Sequence, residues 1–299
     1  MIDGLALDFT GARLAARLAW RPDDRLWARL HAARGLRALL DAARSAAVGN
    51  YVSGLAAQAG SDDVDAAFRA QWRARVTEVA GWAPVAWRAA VQWTAHLADV
   101  TAAAHLWSQA PLPWMQADPV LMRYAAAPGA GARRALLVTG PLAPLGRALL
   151  AHAVGAQAID RSAADESGRR RTRPGPPGKA ASNAAGDVAA LPPALAAWIA
   201  HWQSLWPPPS LAFDAEQRAD LHALVDDVLA HRRRFAQLPP ADTGAARAAF
   251  AARALARLRA DPSRPLALFA FLVVLALDLE RLRAECQAQA FDAARKAAP

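Results

Sequence analysis

The sequence predicts an all-α protein, a multi-helix bundle. Three observations predict it. Apolar residues recur at helical spacing along nearly the whole chain, and Pro and Gly punctuate them. Hydrophobic content is 55% against 20% charged, which supports a sizeable core and excludes a chain disordered throughout. The third is the stretch Pro265 to Arg283, PLALFAFLVVLALDLERLR. From Leu266 to Leu277 it has no polar residue, and then Asp278, Glu280, Arg281 and Arg283 arrive together. A helix apolar on all sides in its first half and amphipathic in its second needs other helices around it. It is shorter than the ~20 apolar residues that span a bilayer, so no transmembrane segment is expected.

In chain order, Leu5 to Trp20 reads as a short helix broken at Pro22. Asp23 or Asp24 caps a helix from Arg25 to Ala43, with Leu26, Leu30, Leu36, Leu39 and Leu40 at helical spacing. Gly49-Asn50 marks a turn and Tyr51 to Ala59 a further short helix. Gly60-Ser61-Asp62-Asp63 is a capping turn before a helix from Asp65 to Val79, whose stripe is Phe68, Trp72, Val76 and Val79. Val85 to Trp107 reads as one long helix ended by Pro111 and Pro113. Asp118-Pro119 starts a short helix to Tyr124, and Pro128 to Gly131 is a loop. Arg134 to Ile159 is helical in pieces, and Leu136 to Thr139 is the sole strand-like run.

Residues 160–193 lose their apolar bulk to Pro, Gly, Ser and Arg, which predicts a linker or surface loop. Its cluster at Arg169, Arg170, Arg171 and Arg173 suits phosphate contact or simple solvation. The expected organisation is therefore a helical region of two bundle units over 1–159, the linker, and a C-terminal bundle over 194–299. Within that bundle Trp198, Trp202 and Trp206 share a helix face stopped by Pro207. Asp214 caps a helix to Phe235, Thr243 caps one from Ala245 to Arg259, and the apolar helix from Pro265 runs on to Arg295.

Eleven Trp against two Tyr put much of the packing area into indoles. The formal charge of +9 points toward nucleic acid or an anionic surface. The Arg are spread along helices among acids, however, which favours a solvated face. One cysteine, Cys286, allows no internal disulfide and fits a reducing compartment. The N-terminal residues carry acids where a signal peptide carries basic ones, so a cytoplasmic location is expected.

Chemical motifs are few. His96 and Asp99, His222 and Asp226, and Asp227 and His231 are helical pairs, but Asp227 and His231 point about 100° away from the pair at His222, so four ligands do not converge. Cys286 sits beside Glu285, and a neighbouring carboxylate raises a thiol pKa. The glycines at 129 and 131 lack a following phosphate-loop or dinucleotide pattern. No catalytic residue, metal site or cofactor is expected, and the chain is not read as an enzyme.

The hexad Asp278-Leu279-Glu280-Arg281-Leu282-Arg283 resembles the C-terminal segment of the central-axle adaptor family of V/A-type rotary ATPases, which has archaeal-type and eukaryotic branches. The acid, both leucines and the final Arg fit, while Glu280-Arg281 replaces the family's Arg-Asn. The unit from Leu36 to Leu55, with Gly49-Asn50-Tyr51, is similar to the family's helix-break-helix unit. So is Val91 to Leu106, through Trp93 and Asp99-Val100, with Ala102 where the family has Asn. The resemblance implies three related bundles forming a funnel and a non-catalytic rotor part that couples the central stalk to the membrane proteolipid ring. It places the partner interface at Arg281, Arg283, Asp278 and Asp99, and the protein at the inner membrane through its complex. The plainer expectation for the junction is intrahelical pairing of Asp278 with Arg281 and Glu280 with Arg283. Two alternatives stay open beside the rotor: a basic helical protein of a ribonucleoprotein, and a helical scaffold.

Overall fold

In the computed structural model, residues 2–154, 191–209 and 213–297 are described. The linker expected at 160–193, with its Arg169–Arg173 cluster, lies almost wholly outside them. The described chain is all-α. It divides into two compact units, one made of Met1–Ala95 with Leu205–Pro299 and one of His96–Ser204. The first unit therefore joins the two ends of the chain, and the division into units does not follow the linear order 1–159 and 194–299. Nor does it give three bundles.

In the first unit, α1 (Ile2–Ala19), α2 (Asp24–Ala32), α3 (Leu36–Arg44), α4 (Ser61–Trp82) and α5 (Val85–Trp93) come from the N-terminal part. A 3-10 segment, Thr94–Asp99, runs across the boundary between the units. In the second unit, α6 (Val100–Ser108) is followed by a 3-10 turn, Pro113–Gln116, then α7 (Met122–Ala125), α8 (Ala130–Thr139), α9 over residues 143–154 and α10 (Pro193–Ser204). The first unit closes with α11 (Ala215–Gln237), α12 (Pro240–Ala260) and α13 (Pro265–Ala297).

Helix α13 is the axis of the first unit. It lies against α12 and α4 most extensively, and also against α1, α3, α5 and α11. Ala267 to Leu272 are all buried, as are Val274 and Leu275. Beyond the charged junction, burial narrows to Leu279, Leu282, Cys286 and Ala290. That spacing of three and four is one stripe of an amphipathic helix. Each fully buried Leu or Phe contributes about 1.5–3 kcal/mol, so this helix is the largest single source of cohesion in the unit. Seven of the eleven Trp are buried, in agreement with a packing role for most of them, and Trp20 stands out at 75% exposed.

The structure departs from the expected elements where side chains from elsewhere claim a backbone group. The helix expected from Arg25 to Ala43 is two helices. Gly35 sits between them at φ 87°, and Gln289 of α13 accepts from the Gly35 N–H at 2.8 Å and donates to the Ala33 carbonyl at 3.3 Å. The helix expected from Val85 to Trp107 is interrupted by its 3-10 segment. There the Trp72 indole donates to the Thr94 carbonyl at 3.0 Å, occupying an acceptor that an α-helix needs for its next turn. The helix expected from Tyr51 to Ala59 does not form: a 3-10 turn, Gly49–Tyr51, ends at Tyr51, and beyond it Gly54 adopts φ 83° and Arg44 draws the Leu55 carbonyl to 2.6 Å.

The strand-like run Leu136 to Thr139 belongs to α8, where the Thr139 hydroxyl donates back to the Ala135 carbonyl at 2.9 Å. Thr243 does not cap α12. That helix starts at Pro240, and the Thr243 hydroxyl donates to the Pro240 carbonyl from within the first turn. Trp206 lies beyond the end of α10. It packs edge-on to Phe213, which in turn meets Trp87 at 4.8 Å, while Trp198 and Trp202 stack on each other in the second unit. Two predicted caps hold: Asp23 accepts from Leu26 N–H and Asp214 from Gln217 N–H, each at 2.8 Å. The helix expected from Asp65 starts at Ser61 instead, and Asp63, inside its first turn, accepts from the Gly60 N–H at 2.9 Å.

Candidate functional site at the Asp278 junction

Asp278 closes the apolar half of α13 and is buried, with its side chain 8% exposed. Its partner is Arg21, at the end of α1. The Arg21 guanidinium donates from Nε to Oδ2 at 2.7 Å and from Nη2 to Oδ1 at 2.8 Å. Two parallel charge-assisted bonds of this kind fix orientation as well as charge. Pro22 follows directly, so α1 cannot continue and Arg21 stands in the non-helical link between α1 and α2. Burial pushes the Asp278 carboxyl up from the ordinary carboxylate range, against the Arg21 hydrogen bonds and the charges of Arg21 and Arg281. The same hydrogen bonds hold the Arg21 guanidinium more firmly protonated. The guanidinium keeps its proton at neutral pH, and both Asp278 oxygens accept from it, the geometry of an ion pair.

Around this pair lies a half-open cavity of about 70 Å³, which Trp20, Tyr51, Arg75, Glu78 and Trp82 help to line. Its cations have partners. Arg75 reaches Glu78 at 2.6 Å, Arg17 also pairs with Glu78, and Arg21 is held by Asp278. Burial raises the Tyr51 phenol above its ordinary value, and the Asp278 charge adds to this. The cavity is small and internally neutralised. Chemically it is a polar seam that ties α1, α4 and α13 together.

The other residues of the hexad are also engaged within the unit. Arg281 does not pair with Asp278; its guanidinium lies 4.3 Å over the ring of Trp27 in α2. Arg283 donates to Glu280 at 2.8 Å, which is the predicted intrahelical pair, and also to Asp65 of α4 at 2.8 Å. Gln287 donates to the same Asp65 oxygen at 2.6 Å. Asp99 belongs to the second unit. It is wholly buried and takes a 3.1 Å contact from His96 Nδ1. The structure thus brings Asp278, Arg281 and Arg283 onto one helix, each facing a different neighbour, and Asp99 is not among them.

The residue that sequence reasoning missed is Arg21. Its only sequence signal is its place between an exposed Trp and a helix-ending Pro, and nothing local ties it to a carboxylate 257 positions away. The helical His–Asp pairs do not gather. Asp227 is taken by Arg257 at 2.6 Å, His231 stacks on Phe250 at 4.4 Å and His222 lies against Trp206. Among the described residues no group of three or more His, Cys, Asp or Glu converges as a metal site would require. Cys286 is fully buried, and burial, aided by the Glu285 charge, pushes its thiol up to about 12. No helix among the described residues is long and apolar enough to cross a membrane. Comparison with models of known families, with curated proteins and with solved structures finds no match.

Proposed function

We propose that this chain is a non-catalytic helical adaptor, a stiff body that holds partner proteins at fixed geometry. In its specific form it is a divergent relative of the rotary-ATPase adaptors, joining the central stalk to the membrane proteolipid ring. The observation that carries the adaptor reading is α13. It is 33 residues long, about 50 Å, is sheathed by six other helices, and is pinned at its apolar–polar junction by the bidentate Arg21–Asp278 pair. A continuous helix locked to its sheath by packing and by a directional ion pair transmits force without bending. The polar seam around Asp278 supports the same reading, since its cations are neutralised internally and it presents no paired acid and base to a substrate. The rotor form rests on the hexad Asp278 to Arg283 and on helix order alone.

The test is affinity capture of the tagged full-length protein from its own host, followed by identification of what co-purifies. Stoichiometric stalk and proteolipid components, lost when the membranes are stripped, are the outcome the rotor form requires. Stoichiometric capture of other proteins retires the rotor form and keeps the adaptor. Capture of nucleic acid with a steep loss of binding as salt rises would overturn both in favour of a ribonucleoprotein component.

A further inference from the structure

The polar seam at Asp278 is not the only concave feature of the first unit. A second, larger cavity of about 480 Å³ opens between the end of α11 and the start of α12. Its walls are small, with Ala230, Ala245, Ala246 and Ala249, and its polar groups are His231, Arg234, Arg253 and one acid, Asp242. The alanines keep the space open, and the volume lies in the range of small-ligand sites.

The charges distinguish this cavity from the seam. Neither Arg234 nor Arg253 has a carboxylate within 4 Å among the described residues, and the same holds for Arg247 beside them. Two of the three guanidiniums rest instead on aromatic faces: Arg247 lies 5.3 Å over Phe235 and Arg253 lies 5.4 Å over Phe250. His231 stacks on that same Phe250 ring and meets Phe235 at 5.6 Å. Three arginines from two helices thus lie near one imidazole, two of them ordered by rings, with no carboxylate claiming their donors among the described residues. Planar guanidiniums with free N–H donors match tetrahedral oxyanions.

We propose that this cavity binds the phosphate of a phosphate ester, with Arg234 and Arg253 as its ligands, His231 as a further donor and Arg247 reinforcing the field. The proposal does not rest on the adaptor reading. Burial lowers the His231 pKa first, and the charges of Arg253, Arg247 and Arg234 lower it further. A bound dianion offsets those charges, so His231 takes up a proton on binding. The other charged groups in range are Asp242 on the rim, the Asp227–Arg257 pair one turn back along α11, and Glu280, Arg281 and Glu285 of α13, which act on Arg247.

A phosphate of this chemistry comes from a soluble ester or from a lipid headgroup, and two arms of one experiment separate them. Inorganic pyrophosphate is titrated into the full-length protein by calorimetry at about 0.1 M salt, and vesicles containing phosphatidic acid are tested by flotation. The variant R234A/R253A is compared with R232A/R233A, which removes two exposed arginines of the same helix outside the cavity wall. The expected result is at least a tenfold loss of pyrophosphate affinity in the first variant and less than twofold in the second. Affinity falls more from pH 6 to pH 8 in the parent than in H231Q, the difference isolating the His231 proton from the ionisation of pyrophosphate itself. Vesicle binding that pyrophosphate competes away assigns the lipid source, and pyrophosphate binding without flotation assigns the soluble one. Equal losses in both arginine variants, or no heat at millimolar pyrophosphate, overturn the proposal. So does binding of a single-stranded oligonucleotide with both variants equally impaired.

Discussion

Replacing Arg21 by Met keeps most of the side-chain volume and removes the cation from Asp278. Breaking a buried pair by deleting one partner costs about 3–5 kcal/mol, since the remaining charge is left uncompensated. Arg21 is 27% exposed and water reaches part of the site, so the expected loss is about 2–4 kcal/mol. That corresponds to a Tm lower by about 5–10 °C. The double replacement R21M/D278M removes both charges and returns stability to within about 1 kcal/mol of the parent, so the coupling is as large as the single loss. The penalty also depends on pH with a definite sign. Without Arg21, burial acts on Asp278 against the Arg281 charge only, and the folded pKa rises further above its unfolded value. The folded state then binds the proton more tightly, so R21M is most stable at low pH and loses stability as pH rises through the folded pKa. Urea titrations followed by Trp fluorescence at pH 5 and pH 8 measure this. A penalty below about 1 kcal/mol, or one equal at both pH values, would refute an ionic, force-carrying junction.

Three further outcomes follow from the same geometry. Cys286, with its thiol pushed up to about 12, stays unreactive to a disulfide reagent until the first unit unfolds; since the unfolded thiol ionises first, stability is full below about pH 8.5 and falls as pH rises toward 12. Arg133 is 6% exposed and donates to the Leu106 and Gln109 carbonyls at 2.7 and 2.9 Å, closing the end of α6. R133K cannot make both bonds and costs about 1–2 kcal/mol, readable as a lower urea midpoint. A Cβ at Gly146 would meet the Leu137 carbonyl oxygen at 2.3 Å, so G146A forces α8 and α9 apart and lowers Tm by several degrees, whereas G131A, with open space around its Cβ, leaves Tm unchanged or higher.

Much of this fold was legible because helical propensity and spacing are local properties. The apolar half of α13, its narrowing after Asp278, and the caps at Asp23 and Asp214 each follow from residues within a turn or two of one another. Two of the errors share one cause. The breaks at Gly35 and Thr94 are set by Gln289 and Trp72, whose side chains reach across the unit to take hydrogen bonds that the helix would otherwise use. A periodicity argument counts apolar positions and has no access to such partners.

The candidate site divides in the same way. That an acid closes the apolar run at Asp278 was readable, and so was the pairing of Arg283 with Glu280 one turn away; the expected pairing of Asp278 with Arg281 was not what formed. That Asp278 belongs to Arg21, and Arg281 to Trp27, was decided by packing, because a salt bridge between positions 21 and 278 exists only once the chain's two ends form one unit. The sequence by itself determined an all-α chain with a central apolar helix, since burial of apolar surface acts on composition and period alone. Only the tertiary structure decided which charges neutralise each other and which arginines remain around an open cavity, because electrostatic pairing depends on distances that no local pattern sets.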